Sequence, residues 1–455
     1  MTLLVTIVSF LVTVGVLVVI HELGHYAAAR LMDVKILRFN VGFGRPLWMR
    51  RRGPDRTEWV IAAIPLGGYV KMLDEREGEV EARELGRAFN RKSVWARIFI
   101  VLAGPIANLA LAVLLFWALF VIGTPGLKPV LAEPAQGTAA AAAGLANGDT
   151  LRAVGDEPVY TWNDVRWVLL NQAVKRESAA LVVETARGGT AEHRLDMSGL
   201  TKDDLDHDFI GKLGLHPFVP PVPARLGHLL ADHAAERAGL REGDLVIAID
   251  GTPVATWPDF TRIVLASPGK PITLDVEREG RRLTIHAVPE TVTEGGARFG
   301  RLGVEMTADA QHEYERMRTT VRFGPVVSAG KAVAKVADLC AFTFKMLGRM
   351  AMGQVSWRNL SGPITIADYA GQSAQQGWIV WLGFLALVSV SLGVLNLLPI
   401  PLLDGGHLVY YLAEIVKGSP VSDRAMEIGQ RFGLALLLGL TVFAFYNDIN
   451  RLFTG

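Results

Sequence analysis

The run from Met1 to Ile20 contains no charged side chain, and it leads directly into His21-Glu22-Leu23-Gly24-His25. About 20 apolar residues are enough to cross a bilayer as a helix. Ionisable groups at such depth cost about 2.5–3.5 kcal/mol each on insertion scales. Residues 1–29 therefore read as a first transmembrane helix that holds three ionisable groups for a chemical reason. Residues 98–122, 378–406 and 425–447 are further apolar segments of spanning length, the last with the shortest apolar core, so about four transmembrane helices are expected. Composition agrees: half of the residues are hydrophobic, only 20% are charged, and the net charge of +1 offers no basic surplus for nucleic acid. The single cysteine, Cys340, excludes an intrachain disulfide. No Lys or Arg precedes Arg30, so the first segment reads as a retained span rather than a cleaved signal peptide.

Basic residues orient these spans. Fifteen Lys and Arg lie from Arg30 to Arg97, including Arg50, Arg51 and Arg52, which makes residues 30–97 cytoplasmic by the positive-inside rule. The region after the second span then lies outside. In that orientation His21 to His25 and the Asn396 to Gly406 stretch, NLLPIPLLDGG, fall at the same cytoplasmic depth of their spans.

His21 and His25 are spaced i, i+4, so a helix projects both from one face about one turn apart. Two imidazoles so placed can bind one Zn2+, with Glu22 beside the metal as general base for hydrolysis. A third ligand must come from elsewhere. Asp404 is favoured as an anion at matching depth, and His407 is its rival. The other His residues lie in the outer region. Pro399 and Pro401 interrupt the third span and free backbone groups beside the site, which is tolerated at membrane depth only around a buried or wet cavity. Asn396 could bind an extended substrate there or make an interhelical hydrogen bond. Two rival readings use the same residues. A non-catalytic zinc-containing adaptor would not need Glu22, and a metal transporter would spread polar groups along a whole transbilayer path.

Two other regions carry patterns of their own. Trp48 to Ile64 reads as two short strands around a Gly53-Pro54-Asp55 turn, forming either a membrane-associated β-hairpin or an ordinary surface hairpin. AGLANGDTLRAVGDEPVYTWND (Ala143 to Asp164) recurs as AGLREGDLVIAIDGTPVATWPD (Ala238 to Asp259), so residues 127–220 and 221–307 are two copies of one small domain. The repeated motif resembles PDZ domains. That resemblance implies α+β folds that take peptide ligands by strand addition, while steric blocking of the site remains the alternative. The first copy departs from the second in one turn, where Gly155-Asp156 replaces Asp250-Gly251. Residues 314–376 include apolar positions at helical spacing with interspersed Lys, as in a helix on a membrane surface or one buried against the repeats.

HELGH in one span and NLLPIPLLDGG in a later one resemble the site-2 protease family of intramembrane zinc metalloproteases. IPLGGYVKM (Ile64 to Met72), FNRKSVWARIFIVLAGPIANL (Phe89 to Leu109) and NLSGPI (Asn359 to Ile364) extend the likeness to the sigma-E-regulating branch. The resemblance implies zinc held by His21, His25 and Asp404, Glu22 as base, and a substrate contact at Asn396. It also implies a re-entrant β-structure that pairs with substrate, which makes Trp59, Gly67, Gly68 and Tyr69 substrate-binding candidates together with Pro399 and Pro401. Implied substrates are single-span membrane proteins, namely a trimmed anti-sigma factor and remnant signal peptides. The implied location is the bacterial inner membrane. The expected whole is a polytopic α-helical membrane protein with a membrane-associated β-hairpin and two tandem PDZ-like domains.

Overall fold

The computed structural model describes residues 2–173, 178–201, 204, 208–294, 297–353 and 362–454. Asn359 to Ser361 of the NLSGPI stretch lie outside the described residues. The chain divides into two compact units, Met1–Thr124 with Arg322–Gly455, and Pro125–Val321.

The first unit is built from helices α1 (Thr2–Leu31), α2 (Val94–Ile122), α3 (Pro325–Ala351), α4 (Pro363–Gln375), α5 (Trp378–Asn396), α6 (Asp404–Lys417) and α7 (Asp423–Thr454). Among the described residues, α1, α2, α5 and α7 contain the four stretches long and apolar enough to cross a membrane. Their outward faces carry side chains such as Leu3, Val8, Ile106, Leu114 and Leu387, which water solvates poorly, so this is a membrane protein. Helix α2 is the hub, packing against α1, α3, α5 and α6. Inside the unit, polar side chains pair between helices. The Ser389 hydroxyl donates to the Asn108 carbonyl at 2.7 Å, and Trp381 Nε1 donates to Thr13 Oγ1 at 3.1 Å. Such pairs are needed where no water satisfies a polar group. Helix α3 packs against α2 and α5 in this same unit.

The third span departs from the expected 378–406. Helix α5 stops at Asn396, and the LLDGG element belongs to the following turn and to α6. Pro399 and Pro401 lack the N–H groups that would continue the ladder. The turn bends through Leu402, a non-glycine residue at φ 87°, before α6 starts at Asp404. Gly405 and Gly406 let the first turn of α6 lie on this bend. A Cβ at Gly406 would stand 2.7 Å from the Ile400 carbonyl carbon, and one at Gly405 would strike the Leu397 and Leu398 backbone.

The strands of the hairpin are much longer than the two short segments expected. β1 (Ile36–Arg52) and β2 (Thr57–Met72) both bend, so residues 46–52 pair with 57–62, residues 36–43 pair with 64–72, and residues 38–41 also pair with 58–61 on their other edge. The 53–56 turn is held by Asp55, which accepts from Arg87 at 2.7 Å and Arg30 at 2.6 Å. The Arg87 guanidinium keeps the Asp55 carboxyl below its ordinary range. At the other bend Phe43, Leu47, Trp48, Ile61 and Ile64 are exposed apolar side chains.

The second unit contains two four-stranded antiparallel sheets. The first has strands β3 (Thr150–Val154), β4 (Glu157–Pro158), β5 (Ala179–Glu184) and β6 (Thr190–Leu195) in the order β4-β3-β5-β6. The second has β7 (Leu245–Ile249), β8 (Thr252–Pro253), β9 (Ile272–Arg278) and β10 (Arg281–Ala287) in the order β8-β7-β9-β10. The same topology therefore occurs twice. Alternating burial on the central strands, as in Leu181 and Val183 or Leu274 and Val276, closes a separate core under each sheet. The turn that differs in sequence also differs in backbone. Asp250 and Gly251 are both left-handed (φ 46° and 76°), whereas in the first copy Gly155 carries that conformation (φ 58°).

Candidate metal centre

His21 and His25 leave the same face of α1, and their Nε2 atoms stand 3.2 Å apart. Asp404, the first residue of α6, closes the triangle with Oδ2 3.2 Å from His21 Nε2 and Oδ1 3.5 Å from His25 Nε2. His25 Nδ1 donates to the Ile100 carbonyl at 2.9 Å, which leaves Nε2 of a neutral ring as a lone pair. His25 Nε2 thus faces the Asp404 carboxylate as a lone pair, and Asp404 Oδ2 is buried without a hydrogen-bond partner. Buried acceptors converge without a donor only where a cation can stand between them. Zinc–nitrogen bonds of about 2.0–2.1 Å in tetrahedral geometry put ligand atoms roughly 3.3 Å apart, close to the three observed separations. The donor set therefore fits zinc.

Helix α2 supplies the wall behind the rings. Gly104 makes room for them, because a Cβ there would fall on His25 Nε2 and lie 2.9 Å from His21 Cε1. Asn108, fully buried, has its Nδ2 3.3 Å from His21 Nδ1. Helix α6 is anchored to α2 by Arg97, whose Nη2 donates to Glu414 at 2.5 Å and whose guanidinium lies 4.9 Å over the Tyr411 ring. This anchor sets the approach of Asp404 to the histidines.

The three residues open into a cavity of about 1440 Å3. Glu22, Gly67, Gly68, Tyr69, Asn396, Leu402 and His407 also line it. Glu22 is 92% buried, beside the imidazoles. His407 shares the cavity but not the cluster, since only His21, His25 and Asp404 among the described residues bring ligand atoms within 4.8 Å of one another. Burial pushes the His407 imidazole below its ordinary pKa. Three expected substrate contacts do not line the cavity. Trp59 packs in an aromatic cluster with Phe39 (4.7 Å) and Tyr26 (5.1 Å), while Pro399 and Pro401 shape the turn behind Leu402.

Sequence reasoning passed over Gly104, Asn108 and Arg97. For Asn108 a signal existed, since it is the one carboxamide in the apolar run from Ile98 to Ile122, and a lone polar group in a span has a task by default. Gly104 and Arg97 gave none, because their roles depend on what α1 and α6 bring against them.

A zinc site among membrane-crossing helices, opening into a cavity with a buried glutamate, defines a class of membrane-embedded metallopeptidase. The chain belongs to Peptidase family M50, whose sequence profile matches residues 9–440. It is similar to the regulator of sigma-E protease RseP of Escherichia coli, 39% identical over 445 residues and covering 98% of each chain. The regulator of sigma-E protease RseP of Salmonella typhimurium is 40% identical over 446 residues, again 98% of each chain. A Neisseria meningitidis protein with zinc metalloprotease in its name is 42% identical over 449 residues, 98% of this chain and 99% of its own. The protein is therefore a zinc-dependent intramembrane protease of the site-2 type, and the non-catalytic adaptor reading falls.

Proposed function

We propose that His21, His25 and Asp404 hold the zinc, that Glu22 is the general base, and that the substrate is a transmembrane segment of a single-span protein. The observation that carries this reading is the convergence of two imidazoles and a carboxylate beside a buried glutamate in one cavity of the membrane unit. Zinc held there supplies Lewis-acid polarisation of the scissile carbonyl. Glu22 takes the proton of the attacking water as the new C–O bond forms. It returns that proton to the amide nitrogen as the C–N bond breaks, which regenerates the carboxylate. A peptide in a helix shields its carbonyls, so the substrate must first unwind. The strand segment 68–72 borders the cavity and could pair with the extended peptide, satisfying backbone groups released from the substrate helix. Asn396, at the cavity wall, could hydrogen-bond the same strand. The exposed apolar bend at Phe43, Leu47, Trp48 and Ile64 supports insertion of the hairpin into the membrane.

The names of the Escherichia coli and Salmonella relatives print a regulator of sigma-E; in keeping with that, the proposed physiological substrates are an anti-sigma factor and, as a second class, remnant signal peptides, in the bacterial inner membrane. The basic residues of 30–97 favour a cytoplasmic hairpin and active site, with the repeats outside. The repeated sheet order supports reading residues 127–220 and 221–307 as PDZ-like, and the exposed Val326, Val327, Val333 and Phe344 of α3 support a place for the 314–376 region at the membrane surface. The test is cleavage of single-span membrane proteins by wild type and Glu22→Gln. The variant is expected to retain zinc and lose about 10²–10⁴-fold in rate, as loss of a general base does. Turnover near wild type would remove Glu22 from its role.

A further inference from the structure

We infer that Asn108 is a positioning residue for the zinc site, accepting a hydrogen bond from Nδ1–H of His21 through its side-chain oxygen. This rests on the reading that His21 binds zinc through Nε2. Three observations lead to it. The Asn108 carboxamide is fully buried and stands 3.3 Å from His21 Nδ1. Its backbone is fixed, because Asn108 lies inside α2 and its carbonyl accepts from Ser389 on α5 at 2.7 Å. His25 already has the matching arrangement, with its Nδ1–H on the Ile100 carbonyl and Nε2 turned to His21 and Asp404.

A neutral imidazole carries one proton, and metal ligation through Nε2 requires that proton on Nδ1. A buried Nδ1–H then needs an acceptor. The carboxamide can supply one, since a half-turn about its terminal torsion exchanges oxygen and nitrogen without moving the backbone. One end of the amide has no partner in either orientation, so that count does not choose between them. The metal-binding tautomer does. Each zinc histidine would then be oriented from α2, His25 by a main-chain carbonyl and His21 by a side-chain one. Partners of this kind fix ring orientation and raise ligand basicity, and their loss typically weakens metal binding about 10- to 100-fold.

The test uses the full-length protein in detergent and reads zinc affinity by chelator competition. Asn108→Leu, which keeps the branched outline but has no acceptor, is expected to bind zinc about 10- to 100-fold more weakly than wild type. Asn108→Asp keeps an oxygen at the same reach and is expected to hold zinc at least as tightly as wild type. Equal affinity in all three proteins overturns the inference, and so does an Asp variant as weak as the Leu variant. His21→Ala separates the underlying reading: if it keeps wild-type zinc affinity, the ligand assignment itself fails, whereas loss there with no change in Asn108→Leu sinks only the role of Asn108. A second measurement needs no variant and so does not depend on one folding. In the zinc-loaded wild type labelled with 15N-histidine, the His21 ring is expected to show a protonated Nδ1 and a metal-bound Nε2. A His21 ring with its proton on Nε2 overturns the proposal.

Discussion

Each repeat buries an aspartate and the metal centre of the membrane unit holds another, but their surroundings are opposite. In the repeats, Asp149 accepts from the Ala146 and Ala186 amides, and Asp244 accepts from the Arg241 amide and from both arms of the Arg278 fork. Each carboxylate is enclosed by donors that belong to its own fold. In the membrane unit, Asp404 faces two imidazole nitrogens and leaves a buried oxygen unpaired. A carboxylate with all its donors in place is structural, stitching a turn to a strand. One that converges with other acceptors is waiting for a cation, and that difference locates the chemistry without reference to any motif.

The contrast breaks most visibly if Asp404 is altered. Asp404→Asn is expected to reduce zinc affinity by more than the roughly 10–100-fold that loss of an outer hydrogen-bond partner costs. His407→Ala should leave it unchanged, and zinc bound per chain measures both. The reverse ranking would move the third-ligand role to His407. Next in size is Asp244→Ala, which strands a largely buried Arg278 guanidinium and should destabilise the second sheet by about 3 kcal/mol. Faster hydrogen exchange in Leu245–Ile249 with unchanged zinc content would show it. A fall in zinc would mean that the repeat acid is not merely structural. Asp149→Ala removes an acceptor from two backbone amides but strands no charge, so about 1–2 kcal/mol is expected in the first sheet. Equal losses at the two positions would show that the Arg278 fork adds nothing beyond the amide contacts.

The copies also show how local chemistry was read well in places and poorly in others. The matched Gly-Asp turns and Trp positions, Gly148-Asp149 with Trp162 and Gly243-Asp244 with Trp257, made the internal duplication legible. Which donors would enclose each aspartate was not, since Arg278 lies on a strand far along the chain. The strand lengths of the hairpin were underestimated for a related reason. Gly42, Gly44 and Pro46 disfavour a regular strand, yet β1 absorbs them by bending, so that residues 38–41 pair with both 58–61 and 68–71 of β2.

Sequence by itself determined the spans, the i, i+4 histidines with Glu22 between them, and the proline-broken stretch before Asp404, because each follows from hydropathy or helical period within one short segment. Only the tertiary structure decided that Asp404 rather than His407 meets the histidines. Helix α5 stops at Asn396, the bend through Leu402 starts a new helix with Asp404 at its first residue, and Arg97 holds that helix to α2. It also decided that Trp59 packs on Tyr26 and Phe39 instead of lining the cavity, and that Gly104 and Asn108 stand against the rings. Periodicity tells which face of a helix a residue is on, but what that face meets is set by packing between segments far apart in the chain.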